Sequence, residues 1–243
     1  MRLPARASAA ALSAATALVL ATACGMLPDD APDATTPYPR LTGPEVVNKA
    51  LATTRAAKSV RMTVRTTTPE GLVEAYVATD IRGECTVTLS MGAAGTMELV
   101  RTGGTVRTRS DAAMLRPASA ARAKDLAGHW VRPTAADPHA KLAERYCDRE
   151  TFLGRLAPKT GTAHKAPTAA TGSGTPALTV TGETADGKWT ADIATDGRPY
   201  LLKLGLKPRP SHGTSGHDTD RTTPVTVEFS EFDKPFTVNK PKP

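Results

Sequence analysis

Strict alternation of apolar and polar residues constrains this chain more than any other feature. From Ser59 to Thr67, Val60, Met62 and Val64 interleave with Arg61, Thr63 and Arg65. A β-strand sends successive side chains to opposite faces, so this segment has one apolar face and one wet face. Antiparallel sheets that pack on one side are built this way. The pattern returns over 72–81, with Val73, Ala75, Val77 and Ile81 on one face, and the Pro69-Glu70-Gly71 turn predicts a hairpin. Cys85–Met91, Thr96–Thr102 and Thr105–Ser110 continue it, with Cys85, Val87, Leu89, Met91, Met97 and Leu99 at the apolar positions. Gly92, Gly95, Gly103 and Gly104 punctuate these segments, and the whole reads as a five-strand meander.

A second meander is expected near the C-terminus. Leu178–Gly182, Trp189–Thr195, Tyr200–Leu206 and Val225–Phe232 are its strands, with turns at Asp186-Gly187 and Asp196-Gly197. The two meanders share an architecture without repeating a sequence. Helices are expected around and between them. Thr42, Pro44 and Glu45 form the start of one, and Val46, Val47, Ala50, Leu51, Thr54 and Ala57 give it an apolar stripe. A helical insert over 118–156 holds Ala118–Leu126, Pro138–Tyr146 and a third segment capped by Asp148, with Phe152, Leu153 and Leu156 on one side. Trp130-Val131 reads as a short strand, and 157–176 and 208–223 as irregular. The fold class is α+β.

The N-terminus carries a different signal. Arg2 and Arg6 are the only charges before Cys24, and residues 7–23 are mostly Ala, Leu and Val with small hydroxyls. That is a secretion leader, too short and Ala-rich to span a bilayer comfortably. Its exit, Leu20-Ala21-Thr22-Ala23-Cys24-Gly25, resembles the lipobox of bacterial lipoproteins, although Ala21 stands where Leu is more usual. The resemblance implies that residues 1–23 are removed and that Cys24 is acylated, placing the protein at the extracytoplasmic face of the cell membrane. An ordinary leader with a chance Cys at its end is the alternative. Residues 24–41 hold Pro28, Pro32, Pro37 and Pro39 with Asp29, Asp30 and Asp33, and read as a solvated tether. A single domain is expected over 42–238, followed by a short tail, 239–243.

Cleavage would leave 220 of the 243 residues and lower the formal charge from +7 to +5, since two arginines and no acids are lost. This modest charge reads as spread along the chain. No basic run interleaved with aromatics is present, so nucleic acid is not an expected partner. Two cysteines remain, Cys85 and Cys147. Outside the cytoplasm such a pair is expected to form a disulfide; two free thiols or a catalytic Cys are the alternatives.

Catalytic patterns are missing. There is no G-x-S-x-G elbow, no Ser-x-x-Lys and no phosphate-cradling glycine loop. Ser173 sits between glycines, and His129, His139 and His164 are scattered singly. His212 and His217 with Asp218 and Asp220 could touch one ion, but solvated loop side chains are the simpler reading. Glu144 and Asp148 flank a helix boundary, where capping explains them. No cofactor, metal or enzymatic activity is expected.

The order of elements over 42–238 is similar to the LppX/LprG-like lipoproteins of high-GC Gram-positive bacteria, related in fold to the carrier LolA. The segments that carry the likeness are Val60–Thr67, Thr86–Arg107, Gly128-His129-Trp130-Val131 and Tyr146-Cys147-Asp148. Asp196-Gly197-Arg198-Pro199-Tyr200-Leu201 and Val227-Glu228-Phe229-Ser230-Glu231-Phe232 add to it. The resemblance implies a strongly curved antiparallel sheet, a half-barrel, with helices packed on its concave face. In several members the space between sheet and helices holds acyl chains. The lining here would be Val47, Leu51, Met62, Val64, Val77, Val87, Leu89, Met97 and Leu99. The same residues would serve equally as a packed core. Two functions follow: a membrane-anchored carrier or sensor of a lipid or other amphiphile, or a tethered scaffold that binds a protein through its surface.

Overall fold

The computed structural model describes residues 37–69, 71–117, 120–158, 162–166, 169–170, 174–209 and 223–241. Both meanders belong to one antiparallel sheet. The first comprises β1 (Ser59–Thr68), β2 (Gly71–Asp80), β3 (Cys85–Ser90), β4 (Thr96–Thr102) and β5 (Thr105–Ser110). Two short strands follow, β6 (His164–Lys165) and β7 (Ala169–Ala170). The second meander is β8 (Pro176–Thr184), β9 (Gly187–Ala194), β10 (Leu201–Pro208) and β11 (Val225–Ser230). The halves join where β1 pairs with β11, from Arg61 opposite Ser230 to Thr66 opposite Val225. The order across the sheet is β5-β4-β3-β2-β1-β11-β10-β9-β8-β6, with β7 paired to β8 off that path.

Register converts the alternation into a continuous apolar surface. Met62 stands opposite Val77 on one side and Phe229 on the other; Val77 stands opposite Val87, and Val87 opposite Leu99. All of these are buried. The sheet curves as a half-barrel with this face inside. The outer face carries charged pairs instead: Arg65 reaches Glu74 and Glu228, and Arg109 reaches Glu98. Such exposed pairs contribute about 0–1 kcal/mol each, so burial of the inner face dominates.

Helices cover the concave side. α1 (Gly43–Arg55) packs on β9 and β10. Its start is the expected capping box: the Glu45 amide donates to Thr42 Oγ1, and the Thr42 amide donates to Glu45 at 2.7 Å. Thr54, fully buried, accepts from the Leu201 amide at 2.9 Å, so its hydroxyl oxygen is satisfied in the core. After α2 (Ala112–Leu115) and α3 (Ala120–Leu126), α4 (Pro138–Cys147) packs on β2, β3 and β4. α5 (Arg149–Leu156) touches α1 and α4. Asp137 caps α4 and Asp148 caps α5.

Several elements depart from the sequence expectation. β2 ends at Asp80, and Ile81 is 63% exposed rather than inward. The Asp80 carboxylate accepts from the amides of Arg82 and Glu84, and the chain turns there through Gly83 at φ +83°. A single 3-10 turn over Gly92–Ala94 ends β3 before Met91. α2 was not foreseen; Asp111 caps it by accepting from the Met114 amide at 2.8 Å. Trp130-Val131 forms one antiparallel bridge, Val131 to Thr108, rather than a strand. The stretch read as irregular contains β6 and β7. β11 ends at Ser230, because Glu231 and Asp233 take left-handed backbone conformations that turn the chain; Phe232 then stacks on Tyr200 at 4.0 Å. The loop 208–223 lies largely outside the described residues.

Packing begins before α1. Tyr38 and Leu41 lie against the core, the Tyr38 hydroxyl donates to the Ala194 carbonyl, and Lys165 Nζ donates to the Tyr38 carbonyl at 2.7 Å. The core and its partly buried neighbours all fall between Tyr38 and Phe232. A chain starting at residue 25 therefore retains every core residue.

Candidate functional site

The nine residues expected to line a cavity come together. Val47 and Leu51 descend from α1, and Met62, Val64, Val77, Val87, Leu89, Met97 and Leu99 rise from β1–β4. All are at most 4% exposed and belong to one cluster. Sequence reasoning left out the other half of that cluster. Leu178, Val180, Ile193, Leu204 and Val227 come from the second meander, and Tyr146, Phe152 and Leu153 from α4 and α5. Their alternation was visible, but which meander faces which helix is set by the β1–β11 join. Tyr146 and Phe152 meet edge to face at 5.4 Å.

Two concavities stand out among the described residues, and Val60 of the cluster borders one of them. One, of about 220 Å³, is bounded by Glu183, Gly187, Lys188, Lys207, Pro208 and Arg209 at the far end of the β8–β9 hairpin. The other, about 10 Å³, lies beside Ser59, Arg61 and Phe236. Neither includes any of the nine residues.

Polar chemistry concentrates at one end of the sheet. Cys85, at the start of β3, is bonded to Cys147, at the end of α4, with Cα atoms 5.6 Å apart. Beside the bond, the Arg101 guanidinium donates to the carbonyls of Gly83 at 2.7 Å and Cys147 at 2.8 Å. Arg149, only 8% exposed, lies near Asp80 and Asp233; burial lowers its pKa and the acids oppose that shift. Asp233 accepts from the Tyr200 hydroxyl and from the Lys58 amide, which holds its carboxyl below the usual range. Asp148 is held low by the Thr151 hydroxyl and amide.

These depressed carboxylates predict an acid-sensitive fold. A carboxyl whose folded-state pKa lies below its unfolded value stabilises fully above that unfolded value, near 4, and loses the contribution as pH falls through the folded-state value. The thermal midpoint should hold steady from about pH 7 to 5 and decline below about 4. Asp233→Asn should flatten part of that decline. Equal acid dependence in wild type and variant would refute the assignment.

The remaining sequence candidates stay apart. His129 and His164 are exposed and His139 half-buried, and no cluster of three metal-ligating side chains exists among the described residues. Glu144 is exposed in mid-helix, and Asp148 is a cap. Ser173, His212, His217, Asp218 and Asp220 lie outside the described residues. No helix among the described residues is long and apolar enough to cross a membrane.

No protein-family model matches the chain, and no curated protein matches its sequence. Solved structures do match. LprF from Mycobacterium bovis superposes with a TM-score of 0.53 over 82% of this chain and 96% of that one, at 15% identity. The lipoprotein LppX from Mycobacterium tuberculosis gives 0.50 over 81% and 97%, at 14% identity. The chain has the LppX/LprG-like fold. At this identity the likeness rests on backbone shape alone, so the fold tolerates almost complete replacement of its side chains.

Proposed function

We propose that this protein binds a lipid or other amphiphile between its sheet and helices, held at the outer face of the cell membrane by an acylated Cys24, and performs no covalent chemistry. The observation that carries this reading is the sealed aliphatic face on an LppX/LprG-like shell. Its strand residues are mostly Val, Leu and Met, with Met62 on the central strand β1, Met97 on β4 and Met114 on α2 beside it. Methionine is unbranched and repacks around irregular guests, so this core can part to admit an acyl chain. Each Å² of apolar surface the guest buries contributes about 25 cal/mol. Two acyl chains on Cys24 would suffice for stable anchoring.

Purification of residues 25–243 from a bacterial host, followed by solvent extraction and mass spectrometry, tests this. Co-purifying lipid or fatty acid is expected. A lipid-free extract, with no uptake of a fluorescent fatty acid, would sink the reading. The second reading, a tethered scaffold with a filled core, draws support from the near-complete burial of all nine lining residues. It predicts the clean extract.

A further inference from the structure

Positive charge is gathered on one margin of the folded chain, in contrast to the even spread read along the sequence. Residues 101–145 hold nine basic residues against four acidic, a net +5, equal to the whole formal excess of residues 24–243. This stretch builds the β5 end of the sheet. β5 is the terminal strand, Val131 is bonded to its outer edge at Thr108, and α2 and α4 pack on β4 beside it. Two of its four acids are committed to backbone amides: Asp111 to Thr96 and Met114, and Asp137 to His139 and Ala140. Arg116, Lys124, Arg132, Lys141 and Arg145 are exposed, and none forms an ion pair with a described residue. Most described arginines elsewhere are matched, among them Arg61 to Glu231, Arg82 to Asp80 and Arg198 to Asp233, whereas Arg40, Arg149 and Arg155 have no ion pair among the described residues. On the basic margin a half-buried Trp130 lies under Arg109, 4.9 Å from its guanidinium, placing an interfacial type of aromatic among the cations.

We propose that this margin docks on anionic phospholipid headgroups. The inference rests on the membrane location proposed above. The cations are spread over the end of α2, α3, the segment joining α3 to α4, and α4, without a pocket or a paired arrangement for a single phosphate. A broad, mobile, negative surface fits that spread, and headgroups provide one within a Debye length. The chain approaches its fold at the opposite end of the sheet order, where Tyr38 meets Ala194 and Lys165. The described chain therefore enters the fold and presents its charges on opposite margins, so contacts at the charged margin would hold the domain against the bilayer independently of the anchor.

Co-sedimentation of residues 25–243 with vesicles tests this without the anchor. Binding is expected to vesicles containing about one third phosphatidylglycerol, to be absent with phosphatidylcholine alone, and to vanish in high salt. The combined variant Arg116→Gln, Lys124→Gln, Arg132→Gln, Lys141→Gln and Arg145→Gln should bind at least about tenfold more weakly. Lys188→Gln with Lys207→Gln, at the other end, should bind as wild type does. All three proteins should show the same thermal midpoint, which separates lost docking from lost folding. Equal loss in both variants, or equal binding to neutral vesicles, would overturn the proposal. So would binding to a soluble anionic wall polymer without binding to vesicles. The lipid extract reports on the core alone, so either idea can fail without the other.

Discussion

Replacing Cys85 and Cys147 together with alanine should lower the stability of the domain by about 4 kcal/mol. The bond closes a sequence separation of 62 residues, and the chain-entropy model assigns about that value to freeing such a loop in the unfolded state. The loop contains β3, β4 and β5 and the helices α2, α3 and α4. Release should also weaken the contacts beside it, because Arg101 holds the Cys147 carbonyl and the Gly83 turn at once. Denaturant unfolding measures the effect as a lower midpoint. Reducing agent should shift wild type to the same place and leave the variant unmoved. A loss below about 1 kcal/mol would mean that the closed loop restrains little in the unfolded chain.

Trp189→Ala should cost about 3–5 kcal/mol, the usual range for emptying a large aromatic from a core. Trp189 is 3% exposed and lies against Gly182, its cross-strand partner on β8. A Cβ at 182 would stand 2.3 Å from Cζ2 of the indole, so the ring occupies the space that any other residue would need. Gly182→Ala should therefore cost about 1–3 kcal/mol in wild type through overpacking. In the Trp189→Ala background the same change should cost much less. That gives a coupling of at least about 1 kcal/mol in the double-mutant cycle. Strict additivity would show that the side chains at 182 and 189 do not compete for the same space.

Much of the sheet was legible because alternation is a local signal with a fixed period. Val60, Met62 and Val64 declare their face without help from the rest of the chain. Helix starts were equally local: Thr42 with Glu45, and Asp148 with Thr151, each solve a capping problem within four residues. The misses are non-local or too short to carry a period. Ile81 has the right parity for the inner face, but Asp80 captures two following amides and ends the strand first. β6 and β7, two residues each, exist because β8 offers them an edge. The nine lining residues were found as the inner face of the first meander. Their companions from β8–β11 were read as strands but not assigned to the same chamber, since only the pairing of β1 with β11 closes it. Even the charged margin escaped a linear reading, because its significance depends on which cations find carboxylates in space.

That central pairing has a consequence for synthesis and export. A chain emerging N-terminus first, from a ribosome or through a membrane pore, delivers β1 about 160 residues before its partner β11. Until residue 230 is out, one side of β1 has no neighbour, and the half-sheet of β1–β5 offers an open apolar edge in the middle of the future molecule. Contacts this distant in sequence form late, and exposed strand edges in the interval invite association with other chains. Loss of the last twenty residues, 224–243, would therefore remove the keystone of the sheet, not trim its periphery. The molecule is finished from its ends inward, and quality control that senses its C-terminal strand would in effect be sensing the whole fold.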